Sequence, residues 1–168
     1  MATALWAVLC APGIGRIRQR LGDILGFCGW LPFANQVEDI TQHERPKIAD
    51  PPGSDAVPGK SRLQHLVSDF FVRTIGVIPI LQADALSILT TPVMLGHGPD
   101  DAWVPVELGH QAVQILREVM GEIDVEWMEY FGAEGEGHWV KEPEGFDRIL
   151  SFLETDAEDE TSVEPVEH

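Results

Sequence analysis

The chain has 168 residues, with 28 Asp+Glu against 11 Lys+Arg, a formal net charge of −17 and a pI of about 4.5. That charge excludes nucleic acid and anionic membrane surfaces as partners, because phosphates are repelled at every approach. A hydrophobic content of 44 % excludes a wholly disordered chain, and the length suits one domain with a real core rather than two.

In chain order, residues 1–9 read as a helix of small and apolar residues that stops before Pro12-Gly13. Residues 15–22 are a basic connector carrying Arg16, Arg18 and Arg20. Residues 24–28 are a short apolar run bounded by glycine, the mark of a strand buried on both faces, and residues 29–32 turn out of it. Residues 41–60, with Pro46, Pro51, Pro52 and Pro58, are expected to form a loop. Residues 61–76 form an amphipathic helix: Leu63, Leu66, Val67, Phe70 and Phe71 fall on one arc of about 140°. Such a face either covers a ligand pocket as a lid or packs on the body, and packing is the favoured reading. Residues 77–81 add further apolar surface.

The pattern then sharpens into strand, loop, helix, strand, loop, helix, which is an α/β layered order. The strands are 93–96 and 125–130. The first helix follows Pro105, with Leu108, Ala112, Ile115, Leu116 and Val119 on one face, and the last starts near Pro143, with Phe146, Ile149, Leu150 and Leu153 on one face. Seven acids (Glu154, Asp156, Glu158, Asp159, Glu160, Glu164 and Glu167) then occupy 154–168 without a Lys or Arg, so a disordered acidic tail is expected there.

Cys10 and Cys28 show no framework spacing and read as buried thiols of a reducing compartment. The apolar start lacks a positive n-region and is too short to span a bilayer, so a cytoplasmic protein without a transmembrane segment is expected. His43, His65, His97, His110, His138 and His168 show neither an H-x-x-x-H nor a paired-cysteine pattern, and no metal or cofactor is implied.

In open α/β sheets functional groups gather at the carboxyl ends of strands. Here the loop 97–101 carries Asp100 and Asp101, and the loop 132–137 ends at His138. An acid after one strand and a histidine after the next is the order in which α/β-hydrolases supply two of their three catalytic groups. By spacing alone, a loop aspartate capping the next helix and a histidine bonded to backbone is the favoured reading.

The wording around these residues adds to the spacing. Thr91-Pro-Val-Met-Leu-Gly-His-Gly98, Asp101-Ala-Trp-Val-Pro105, Gly132 to Gly137 followed by His138-Trp139, and upstream Gly26-Phe-Cys-Gly-Trp-Leu-Pro32 together resemble the phospholipase/carboxylesterase family that includes acyl-protein thioesterases. The resemblance covers roughly residues 1–40 and 90–153. It implies a partial α/β-hydrolase fold: the C-terminal strands and helices of a mostly parallel sheet, with the first strands missing and an insert at about 41–90. It also implies Asp101 as triad acid, His138 as triad histidine, His97-Gly98 as the loop presenting the acid, and Trp30 and Leu31 at a turn near the acyl pocket. The substrate it implies is an acyl ester or thioester, such as a lipidated protein or a lysophospholipid.

One element of that family is absent from these residues. No Gly-x-Ser-x-Gly occurs, and residues 1–6 resemble the stretch that directly follows the family's nucleophile. Cys28 is not a substitute, since no glycine stands two residues after it and a buried structural thiol is the better reading. Two readings stay open: a hydrolase whose nucleophile lies outside these residues, leaving the chain inactive as written, and a non-catalytic binding protein of the same ancestry.

Overall fold

A computed structural model of the protein describes residues 1–14, 20–44, 59–80, 83–121 and 124–161. Its elements in order are α1 (Ala2–Ile14), β1 (Ile24–Phe27), α2 (Ala34–Glu44), α3 (Gly59–Thr74), a 3-10 helix (Ala83–Thr90), β2 (Val93–His97), α4 (Val106–Val119), β3 (Val125–Glu129) and α5 (Glu144–Thr161). The architecture is mixed α/β, around one parallel sheet.

The sheet runs β1-β2-β3, with Ile24 opposite Val93 and Val93 opposite Val125. Parallel strands need long crossovers, and these are supplied by α2, α3 and the 3-10 helix on one side of β2 in sequence and by α4 on the other. β2 is central, and all five of its residues are buried. That is why the sequence there is a continuous apolar run rather than an alternating one. The strand 24–28, expected to be buried on both faces, is instead half open. β1 lies at the edge of the three described strands, and its Leu25 is 37 % exposed.

α1 packs on α3 and the 3-10 helix, while α2 and α3 both reach α4. Leu5, Leu9, Val37, Val67, Phe71, Ile88, Leu89, Leu95, Ile115 and Leu116 make one continuous core. α3 is therefore a body helix, as favoured from its periodicity, with Val67, Phe71 and Val72 wholly buried.

Several expectations move. α1 does not stop before Pro12 but runs on to Ile14. A proline inside a helix loses a backbone bond, yet this end is anchored from outside. The Gly13 N–H donates to Ser68 Oγ at 2.8 Å, and the Ile80 N–H donates to Gly13 O at 2.7 Å. α2 occupies residues to which the sequence pattern assigns no element, and it takes up 41–44 of the expected loop. The part of that loop at 45–58, and the connector at 15–19, lie outside the described residues.

α4 turns Gly109 inward in place of the expected Leu108, which is 38 % exposed. On α5 the buried residues include Gly145 and Phe152, whereas Phe146, Leu150 and Leu153 are exposed, so the periodic stripe is real but is not the face turned inward. Helix also continues from Glu154 to Thr161, where composition points to a tail. Once a helix is nucleated, each further residue costs little to add. Residues 162–168 lie outside the described part.

Candidate active site

The carboxyl ends of β2 and β3 lie side by side, because Val93 to His97 pair with Val125 to Glu129 in parallel register. The loops that leave them must therefore meet. After β2 the chain turns tightly, the Asp101 N–H donating to Gly98 O at 3.0 Å. Asp101 Oδ1 then accepts from the backbone N–H groups of Trp103 at 2.8 Å and Val104 at 3.0 Å. Aspartate does this readily through its short side chain, and the effect is to fix the carboxylate and aim Oδ2 elsewhere.

The loop after β3 is laid directly on the first. The Gly132 N–H donates to Asp100 Oδ2 at 2.8 Å, and the Ala102 N–H donates to Glu136 O at 3.0 Å. Gly137 makes the closest approach. A Cβ there would lie 2.7 Å from Asp100 O, and its φ of +84° is in the region that favours glycine. With no side chain at 137, His138 is brought over the acid.

His138 Nδ1 lies 2.8 Å from Asp101 Oδ2. The Asp101 side chain has no exposed surface, while the His138 ring is 30 % exposed. An ionised carboxylate only accepts, so Nδ1 carries the proton and Nε2 is left as the basic nitrogen. Trp103 stacks on the ring, with centroids 5.2 Å apart and planes at 24°, and its indole N–H is held by Glu136 Oε2 at 3.0 Å.

His97 was expected only as part of the loop presenting the acid. It is instead the last residue of β2, wholly buried, with Nε2 2.9 Å from Val104 O and 3.2 Å from Asp101 Oδ2. Its Nε2–H donates to Val104 O, and the ring lies against the acid. A side chain on Gly109 would meet His97 Nδ1 at 2.7 Å, which is why glycine faces inward there.

Burial is the largest single influence on the Asp101 carboxyl and pushes its pKa up. The N–H groups of Val104 and Trp103 and the His138 contact outweigh it, and the net position is below the ordinary 3.8. A depressed native value means that the unfolded chain takes the proton first. The stability from Asp101 is therefore fully present above pH about 4 and is lost as pH falls through the native value. In urea unfolding, the gap in midpoint between the native protein and Asp101→Asn should be wide at neutral pH and narrow below that range.

The third group in this corner is Cys28, the first residue after β1. Its φ is +50°, and its Sγ is 3.3 Å from the Tyr130 hydroxyl and 3.8 Å from both Gly137 O and Trp139 O. Burial pushes its thiol upward, as does the Asp101 charge, so at neutral pH it is an un-ionised buried thiol. Cys10 is buried on α1, and its thiol is pushed up by burial to about 11. Both cysteines are free.

Of the residues expected near an acyl pocket, Leu31 is 2 % exposed and belongs to the core, while Trp30 is 46 % exposed. The structure brings Asp101 and His138, both expected from the sequence, into contact at 2.8 Å, and it places Leu31 in the core and Trp30 at the surface. Tyr130, whose hydroxyl lies 3.3 Å from Cys28 Sγ, is not signalled by the sequence, because it meets the corner only through that neighbour.

No protein-family model and no curated protein matches this chain. Among solved structures, the acyl-protein thioesterase 2 of Zea mays is similar in fold, with a TM-score of 0.55 and 21 % sequence identity over 92 % of this chain. The match covers 51 % of that protein, so the chain spans about half its length. The likeness gives the protein an α/β-hydrolase-like fold.

Proposed function

We propose that residues 1–153 carry the acid and the proton carrier of an acyl-transfer site acting on carboxylic esters or thioesters. In this reading Asp101 holds the His138 ring in the Nδ1–H tautomer, and Nε2 takes the proton of an attacking hydroxyl. His138 then returns that proton to the leaving alkoxide or thiolate, and the buried Asp101 charge stabilises the imidazolium in between. The observation that carries the reading is the 2.8 Å contact between His138 Nδ1 and a carboxylate with no exposed surface. Within the insert at about 41–90, the buried Val67, Phe71 and Val72 of α3 support a body helix rather than a lid. The two free thiols fit a cytoplasmic location, and no helix among the described residues is long and apolar enough to cross a membrane.

A specific observation favours the second reading, a non-catalytic binding protein: the 168 residues contain no Gly-x-Ser-x-Gly. One experiment separates the two. The purified 168-residue chain should take up no fluorophosphonate probe, because it holds no activated serine. If the coding sequence directly upstream of Met1 supplies an in-frame Gly-x-Ser-x-Gly, the extended protein should label stoichiometrically and hydrolyse acyl thioesters. Labelling of the 168-residue chain would overturn its inactivity, whereas an extended protein that stays inert counts against the hydrolase.

A further inference from the structure

We propose that Cys28, Asp101 and His138 form a binding site for a thiophilic divalent cation of the zinc class. The cation would seize the acid–histidine pair and switch it off. The cation site stands on geometry, and only the switching consequence rests on the acyl-transfer reading.

The ligand atoms Cys28 Sγ, Asp101 O and His138 N all lie within 4.8 Å of one another. Tetrahedral zinc with bonds of about 2.0–2.3 Å to O, N and S places its ligand atoms roughly 3.3–3.6 Å apart. The three groups therefore close on an ion by small movements, the His138–Asp101 contact opening from 2.8 Å by about half an ångström. One thiolate, one imidazole and one carboxylate form a mixed set that suits zinc or cobalt and is poor for magnesium or calcium, which take oxygen ligands. Three protein ligands leave a fourth position for water, and the His138 ring, 30 % exposed, is where this corner meets solvent.

The surroundings already hold two of these ligands as a metal site requires. The Trp103 and Val104 N–H groups, donating to Asp101 Oδ1, orient the carboxylate, and the Tyr130 hydroxyl, at 3.3 Å from Cys28 Sγ, can donate to the thiolate. The proton balance is explicit. Binding expels the Cys28 thiol proton to solvent. The His138 proton moves from Nδ1 to Nε2 through water, so that the Nδ1 lone pair faces the ion. That exchange removes the basic nitrogen on which acyl transfer depends, so an occupied site is a silent one. Affinity should rise with pH, because a proton leaves for each ion bound.

The test is a cobalt(II) titration of the reduced 168-residue protein, followed by its absorption spectrum. The expected result is one equivalent bound, with a thiolate-to-cobalt charge-transfer band that zinc abolishes by displacement. Cys28→Ser should lose the band and Cys10→Ser should keep it. His138→Ala should weaken binding at least about tenfold. A band that survives Cys28→Ser, or no band in the native protein, overturns the proposal. Should Cys28→Ser fail to fold by circular dichroism, His138→Ala decides, and an unchanged affinity there is equally fatal. The readout involves no turnover, so the cation site and the hydrolase reading can fail independently.

Discussion

Asp101→Asn is expected to lower kcat by about four orders of magnitude in any form of the protein that carries a nucleophile, with little change in KM. The size follows from how the carboxylate is held. Oδ1 accepts from Trp103 and Val104 N–H, and an asparagine carbonyl takes over those two bonds without loss. That choice forces the amide NH2 to the Oδ2 position, facing His138 Nδ1 at 2.8 Å. Two donors cannot share that contact, so the imidazole gives up its Nδ1 proton and becomes the Nε2–H tautomer, with its only lone pair turned inward. The base is then of the wrong sense, although no atom has moved far. The tautomer can be read on the 168-residue chain itself. Nitrogen NMR should show His138 protonated at Nδ1 in the native protein and at Nε2 in Asp101→Asn. An unchanged tautomer would show that the acid does not control the ring. Binding of substrate does not use Asp101, whose side chain has no exposed surface, and that is why the loss falls on kcat.

The parts of the molecule legible in the sequence are those where one residue pattern has one physical solution. The run 93–96 is apolar without alternation, and only a strand covered on both faces accepts that; it is the central strand. The Asp101 and His138 loops follow consecutive parallel strands, so chain order alone brings their ends together. Where the periodicity was right but the burial was not, a competing demand decided. Leu108 lies on the apolar face of α4, yet the inward position goes to Gly109, because the buried His97 ring and Trp127 stand where a side chain would go. The α5 stripe of Phe146, Leu150 and Leu153 has helical spacing, but spacing does not say which surface comes to meet it, and these three remain exposed. Cys28 shows the limit for the site. It is more than seventy residues from Asp101 in sequence, about the length of the insert and its flanking elements, and only the pairing of β1 with β2 brings the thiol to the acid. No local motif encodes a contact of that kind.

Phe71→Ala should destabilise the protein by about 3–5 kcal/mol, the range for removing a fully enclosed aromatic ring. Phe71 has no exposed surface and sits in an edge-to-face contact with Phe70 at 5.3 Å and a tilted one with Trp6 at 6.3 Å. Trp6 belongs to α1, and Phe33, ahead of α2, closes the cluster by meeting both Trp6 at 5.8 Å and Phe70 at 6.0 Å. Deleting the Phe71 ring therefore removes transfer energy, leaves a cavity, and takes from Trp6 on α1 one of its two ring partners. Collapse into the space is opposed from two sides. The Gly13 N–H bond to Ser68 Oγ pins the end of α1 to α3, and Gln64 Nε2 donates to Val119 O at 2.9 Å, pinning α3 to α4. A helix so fastened cannot slide to fill a gap, which places the cost in the upper part of the range. The measurement is a urea midpoint at unchanged m-value. Phe70→Ala, at a half-buried position on the same helix, serves as the comparison and should cost less. The outcome also bears on what α3 does. A lid that opens over a ligand must be held by little, and a loss below about 1 kcal/mol at Phe71 would fit a movable cover. A loss of several kcal/mol fits a structural helix, on which the sheet that carries Asp101 and His138 depends.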